Sequence, residues 1–320
     1  LYTLTIRDQS NSFRVIGAIQ EILVAPEDPK KVIERLAMPS VKVVTLTVTE
    51  KGYCLTPEGG LDCNHKAIVH DLTNPDAPKS AIGFIVAGLR LRKARGISPF
   101  VPLSCDNITD NGHRLARAVQ EFAYMVDPAF GSWVAENVRF PRTMVDSITP
   151  ATTDDIRESV SKATGLDDGW PVQRERFTQW VIEDLDDVQL PPWHDVGAIL
   201  TKDVGAFEAT KLRVLNCLHS SLAFLGMLEE FETVEDAVNS APLRAFVERM
   251  LADEIIPGLP IIKGLDKVAY GESVLERFRN PAETRILTTE PLEGILAMER
   301  LLGTNGDLNF EQTLERVAYT

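Results

Sequence analysis

The chain has 320 residues, 44% of them hydrophobic and 25% charged, enough to bury substantial cores and to form two domains. Its formal charge of −14 argues against nucleic acid or an anionic membrane as the main partner, since both reward a basic surface. Four scattered cysteines suit a reducing compartment, no run approaches the roughly 20 apolar residues of a membrane span, and cytoplasm is the expected location.

Leu1–Ile6 alternates like a strand already under way, with no initiating Met, and reads as the middle of a domain whose beginning lies upstream. Residues 13 to 24 read as strand material. Asp28–Ala37 reads as a helix, with Asp28 near its start and Pro29 in its first turn. Val41–Thr49 is rich in β-branched residues and predicts a strong strand. A polar loop follows around Pro57–Asn64, then a helix over Lys79–Arg95 and a buried strand over Phe100–Cys105. Asp106–Asp110 form a turn into a long helix, about Asn111–Met125. Strands alternating with helices predict a doubly wound α/β sheet.

From about Thr201 the texture is helical, with periodicity over 207–231, 234–254 and 266–280. The predicted organisation is therefore an α/β domain over 1–200 and a mostly α-helical domain over 201–320. Their boundary near Lys202–Gly205 would put the Lys211 helix at an interdomain cleft, where ligand sites commonly form.

Three polar residues interrupt that apolar helix: Lys211, Asn216 and His219, among Leu212, Leu215, Leu218, Leu222 and Leu225. At about 100° per residue, Asn216 lies roughly 140° and His219 roughly 80° round from Lys211, so the three can address one pocket. Burying such groups is costly unless each has a partner or a task, and a desolvated lysine loses basicity and becomes a usable general base. The plainer reading is that they are satisfied core residues.

Ligands in open α/β sheets lie beyond the carboxyl ends of strands, which singles out Thr49 and Glu50 after one strand and Asp106 and Asn107 after another. Asn107 could equally be a turn or cap residue. Cys63, His65 and His70 match no common zinc spacing, and no metal is expected. Cys105 and Cys217 read as small buried hydrophobes rather than nucleophiles.

Lys-x4-Asn-x2-His at the start of a long helix resembles the signature of the polyol-specific long-chain dehydrogenases, the mannitol dehydrogenase and fructuronate reductase family. Leu46-Thr-Val-Thr-Glu-Lys-Gly-Tyr53, Ser104-Cys-Asp-Asn-Ile-Thr-Asp-Asn-Gly112, Phe140-Pro-Arg-Thr-Met-Val-Asp-Ser-Ile-Thr-Pro150 and Phe177-Thr-Gln-Trp-Val-Ile-Glu-Asp184 also resemble family segments, in the family's order. The resemblance covers most of residues 1 to 282. It implies a Rossmann-type nucleotide-binding domain, incomplete at its N-terminus, followed by a helical substrate domain.

The activity so implied is NAD-dependent interconversion of a polyol or sugar acid with its keto form, mannitol with fructose or mannonate with fructuronate. Lys211 would be the base, Asn107 and Asn216 would hold the substrate oxygen, and His219 would orient it. Val145 and Asp146 match a family Val-Asp-Arg-Ile-x-Pro motif and would line the nicotinamide and substrate side; Thr49 is a cofactor-side candidate. Glu50 either relays protons near Lys211 or is a solvated strand-end carboxylate. Ser147 stands where the family carries Arg, and nearby Arg142 is a candidate substitute.

No Gly-x-Gly-x-x-Gly follows a strand, so the pyrophosphate cradle has no counterpart in this numbering, and the residue choosing NAD over NADP is expected upstream of Leu1. After Asn280-Pro281 the polar, basic stretch carried by the family reads as skipped, ahead of an apolar C-terminal helix. The expected partner is a small polyol, aldonate or ketose, with neither nucleic acid nor membrane, and the protein acts as a monomer or small homo-oligomer. The competing reading is a noncatalytic sugar- or nucleotide-binding regulator on a dehydrogenase scaffold.

Overall fold

The computed structural model describes residues 1–7, 11–188 and 190–279. The changes expected after Asn280 lie outside the described residues. β1 (Tyr2–Arg7) pairs antiparallel with β2 (Ser12–Ile16). The strand predicted over 13–24 stops there, because beyond Gly17 apolar residues cluster without alternation and no ladder among the described residues receives them. α1 (Pro29–Leu36) starts where predicted: Asp28 accepts from the Lys31 amide, and Pro29 occupies a position whose amide has no helical partner.

β3 (Val43–Leu46) runs parallel to β4 (Val101–Ser104). Between them lie a 3₁₀ turn (Glu50–Tyr53), α2 (Lys66–Thr73) and α3 (Ala81–Ala94). α2 was not legible because its cap is a histidine, His65, rather than Ser, Thr, Asp or Asn. After β4 come α4 (Asn111–Val126), α5 (Pro128–Asn137) and β5 (Thr143–Asp146). α6 (Asp154–Thr164) and β6 (Val172–Glu175) follow, with β6 parallel to β1. β7 (Gln179–Glu183) pairs antiparallel with β5 and parallel with β8 (Ile199–Thr201).

The remaining elements are helical. α7 (Val204–Lys211) passes through a π-turn (Leu212–Asn216) into α8 (Cys217–Leu228). The predicted 234–254 helix is divided into α9 (Val234–Asn239) and α10 (Ala241–Arg249) at Ser240, because Pro242 lacks the amide that continuation needs. A second π-turn (Met250–Ile255) leads into α11 (Ile256–Gly258), and α12 (Lys267–Phe278) ends the described chain. No described helix is long and apolar enough to cross a membrane.

The chain divides into two compact units, each discontinuous in sequence. One comprises 17–146 and 178–204 and holds β3, β4, β5, β7 and β8 with α1 to α5; its core runs from Leu46 and Tyr53 through Ile82 and Leu115 to Phe130. The other comprises, of the described residues, 1–7, 11–16, 147–177 and 205–279. It contains the sheet β2-β1-β6 and a helical core built on Val214, Leu218, Leu222, Val247 and Val274.

Candidate active site

In the first unit, the carboxyl ends of parallel β3 and β4 bring together three predicted positions, Thr49, Glu50 and Asn107. All three are exposed, above a buried polar base. The Asp106 carboxylate ties the two strand ends: Oδ1 accepts from the Thr49 amide at 2.9 Å, and Oδ2 from the Val48 amide at 3.0 Å and the Tyr53 hydroxyl at 2.7 Å. Tyr53, 1% exposed, also shares a 2.6 Å hydrogen bond with the fully buried Ser104 hydroxyl. Burial, together with the Asp106 charge, pushes the Tyr53 phenol well above its ordinary range and keeps it a donor to that carboxylate. Thr49 sits at φ 62 and ψ 167, a conformation β-branched residues avoid at a cost of about 1–3 kcal/mol.

A second buried link joins β4 to β5, which carries Val145 and Asp146. Asn111 donates from Nδ2 toward Thr143 O at 3.0 Å, Thr143 Oγ1 at 3.1 Å and Asp106 O at 3.2 Å, while its Oδ1 accepts from the Thr143 amide at 3.0 Å. The Thr143 hydroxyl donates to Ser104 O at 2.5 Å. Gly112 is needed beside it, since a Cβ there would stand 2.7 Å from the backbone oxygens of Phe140 and Pro141. Asp146 is buried at 5% exposure and Val145 is half-buried.

Arg142, the candidate substitute for the Arg absent at position 147, turns toward Glu183. Its guanidinium is committed to Glu183, with Nη2 2.7 Å and Nε 3.0 Å from Oε1, and its own amide donates to Oε2 at 3.0 Å. Ser147 itself belongs to the second unit, where its hydroxyl donates to the Phe177 carbonyl at 2.8 Å.

The second unit also holds Lys211, Asn216 and His219. Lys211 is 7% exposed, and the other two are half-buried. A regular helix would spread them as the sequence predicts, but the chain is not a regular helix here: the Cys217 amide donates five residues back, to Leu212 O. In such a turn, residues five apart take the relation that residues four apart have in an α-helix, about 40°. Asn216 therefore swings from roughly 140° to about 40° from Lys211, and His219 falls about 20° on the other side. The three occupy one stripe about 60° wide. The His219 ring meets Phe278 edge-on at 5.9 Å.

Burial pushes the neighbouring Cys217 thiol up to about 11, against a hydrogen bond from Ser221 that lowers it. Burial and then the Asp106 charge do the same to Cys105, also to about 11. Both lack the low pKa of a nucleophile. His65 Nδ1 caps α2 by accepting from the Ala67 amide, and His70 Nδ1 lies 2.9 Å from Asp71. Among the described residues no group of three His, Cys, Asp or Glu is placed to hold a metal ion.

Two contributors escaped the sequence reading, Tyr53 and Asn111. Both lie inside the quoted segments ending at Tyr53 and Gly112, so their presence was visible; their partners, 53 and 32 residues away, were not.

A family model described as the mannitol dehydrogenase Rossmann domain matches residues 1–194, and one described as the mannitol dehydrogenase C-terminal domain matches residues 203–294. The chain is 42% identical over 285 residues to a D-mannonate oxidoreductase of Escherichia coli K12, covering 88% of this chain and 59% of that protein. It is 41% identical over 288 residues to a mannitol 2-dehydrogenase of Aspergillus fumigatus, covering 88% and 57%. The structure is similar to a Pseudomonas fluorescens mannitol 2-dehydrogenase in ternary complex with NAD and D-mannitol (TM-score 0.81, 34% identity, 94% of this chain and 60% of that one). It also resembles a D-sorbitol dehydrogenase in substrate-free form (TM-score 0.88, 33% identity, 96% and 66%). The chain thus spans under two thirds of the length of these relatives.

Proposed function

This chain belongs to the mannitol dehydrogenase family, and from that premise we propose that it serves an NAD-dependent oxidoreductase acting on a secondary alcohol of a polyol or sugar acid. The observation that carries the reading is the π-turn, which brings an amine, an amide and an imidazole to one helical stripe with Lys211 only 7% exposed. A lysine so enclosed has little use in a binding protein.

The exposed Thr49, Glu50 and Asn107 above a rigid, buried polar base fit a dinucleotide lying across the carboxyl edge of β3 and β4, as open α/β sheets bind such ligands. Val145 and Asp146 complete the cofactor side. Oxidising a secondary alcohol removes the proton from the hydroxyl oxygen and a hydride from the carbon that bears it; NAD, when bound, would supply the hydride acceptor. Lys211 Nζ takes the proton as general base. The amide of Asn216, on the same stripe, donates to the oxygen as its charge grows, which needs a donor already oriented in a water-poor site; Asn107 is the second amide that the family resemblance offers for this role. His219 hydrogen-bonds a substrate oxygen and fixes its orientation, and Glu50 either relays protons or stands as a solvated strand-end carboxylate.

On this reading residues 1–200 supply the cofactor portion and 201–320 the substrate portion of the sequence, with 1–7, 11–16 and 147–177 packed into the unit that holds the helical core, and the reaction is metal-independent. Mannitol with fructose and mannonate with fructuronate are the leading pairs, after the names of the relatives. The test is a nicotinamide absorbance assay on the longest natural form of the protein against polyols, aldonates and their keto partners, before and after dialysis against a strong chelator. Turnover that survives the chelator supports the reading. Nicotinamide or sugar binding without turnover replaces it with a binding role, and turnover lost and restored by zinc removes the lysine mechanism.

A further inference from the structure

We propose that Asp106 is a positioning residue: its carboxylate sets the turn at Thr49 and Glu50 against Asn107, so that the ends of β3 and β4 present their ligand-facing groups in one fixed arrangement. The inference rests on the reading of Thr49, Glu50 and Asn107 given above. Three donors converge on its two oxygens, from the Val48 amide, the Thr49 amide and the Tyr53 hydroxyl. In all three bonds the carboxylate is the acceptor, so the site is built for a group that turns acceptor oxygens alone toward these donors. An amide in its place would turn a hydrogen-bearing nitrogen toward one or more of these donors.

Two features set this clamp apart from an ordinary loop staple. Thr49, the residue whose amide it holds, has φ 62 although it is neither glycine nor asparagine, so its conformation persists only where neighbours impose it. That imposed turn lies at a strand end, one residue from Glu50. Asp106 itself immediately precedes Asn107 in the chain, so releasing the carboxylate frees both ligand-facing loops together. Behind the clamp the support is rigid: Tyr53 OH bonds Ser104 Oγ at 2.6 Å, and the Asp106 carbonyl receives Asn111 Nδ2 at 3.2 Å. Misplacement of a reacting group by about 1 Å can cost two orders of magnitude in rate, so holding these loops has kinetic consequences.

The experiment compares wild type with Asp106→Asn and Tyr53→Phe in the longest natural form, by amide hydrogen exchange at Val48 and Thr49 and by kcat and KM for alcohol and NAD. Asp106→Asn should accelerate exchange at both amides at least tenfold and lower kcat at least tenfold, with KM for the alcohol within threefold. Tyr53→Phe, which leaves both backbone donors on the carboxylate, should lower kcat roughly three- to tenfold. Faster exchange with kcat within twofold of wild type would make Asp106 a plain staple and overturn the proposal. Unchanged exchange would overturn the clamp itself. If Asp106→Asn does not fold, Tyr53→Phe decides, a kcat within twofold counting against. A wild type with no turnover on any alcohol removes the functional reading and this proposal with it, whereas an active wild type with indifferent variants removes this proposal alone.

Discussion

Asn111 offers a direct measure of how much the buried polar base beneath β4 and β5 contributes. It is 2% exposed, and its side chain supplies the acceptor for the Thr143 amide while its two Nδ2 hydrogens are shared among four oxygens of Ser104, Asp106 and Thr143. Asn111→Ala orphans the buried Thr143 N–H, worth about 1–3 kcal/mol, and removes two donor bonds at about 0.5–1.5 kcal/mol each. Part of this is recovered, because Ser104 O keeps the Thr143 hydroxyl and alanine is the better helix former by a few tenths of a kcal/mol. The net loss should be about 3 kcal/mol. Asn111→Asp is the sharper probe: it keeps volume and the Thr143 acceptor but turns a carboxylate oxygen on carbonyls that need a donor. It should be worse than alanine at neutral pH and recover on acidification, because a buried carboxyl facing acceptors is favoured in its protonated form. Urea denaturation followed by fluorescence reads this unit through Trp180 and Trp193, whose rings lie 4.7 Å apart within it. A loss below about 1 kcal/mol for alanine, or aspartate milder than alanine at pH 7, would refute the reasoning.

Lys211→Ala should lower turnover by roughly two orders of magnitude or more with NAD affinity nearly intact, and added small amines should restore part of it; near-normal turnover would end the mechanism. Among the cysteines, Cys63 is exposed while Cys105 and Cys217 carry thiols raised to about 11, so native alkylation at pH 7.5 should modify Cys63 and spare those two until the protein unfolds. Peptide mapping of the alkylated protein checks this. Burial raises the Glu183 carboxyl, but hydrogen bonds from the Arg142 side chain and amide outweigh it and hold its pKa below the ordinary 4.5. Its contribution is therefore fully present above about pH 4.5 and lost as pH falls through the lowered value, so the stability gap between wild type and Glu183→Gln should narrow on acidification. A gap that is flat or widens would contradict the ion-pair assignment.

Most of what the sequence exposed was local, and most of what it hid was contact. The Asp28-Pro29 start of α1 and the abrupt start of α4 after Asp110 follow from neighbouring residues and were legible, as was the existence of β3, which covers only Val43–Leu46 of the Val41–Thr49 expected. The strand expected beyond Ile16 failed because a run of apolar residues does not make a strand without a partner to receive it. β6, β7 and β8 were missed for the converse reason: Val172–Glu175 and Ile199–Thr201 are short and become strands by pairing with β1 and β7. Arg142 shows the same limit at the candidate site, since nothing near it in sequence announces Glu183, 41 residues away.

The π-turn carries this argument furthest. Lys211, Asn216 and His219 could be named from residue type alone, and a regular helix, which leaves the amine and the amide roughly 140° apart, already lets them address one pocket without setting them side by side. Helical periodicity contains no term for a hydrogen bond that reaches back five residues instead of four. Val214 within the turn and Leu218 just beyond it are wholly buried, so packing holds this stretch of the helix, and a locally widened turn reconciles that packing with a polar stripe. The helix gives up regular geometry at Leu212–Asn216, between the lysine and the amide that the proposed chemistry needs side by side.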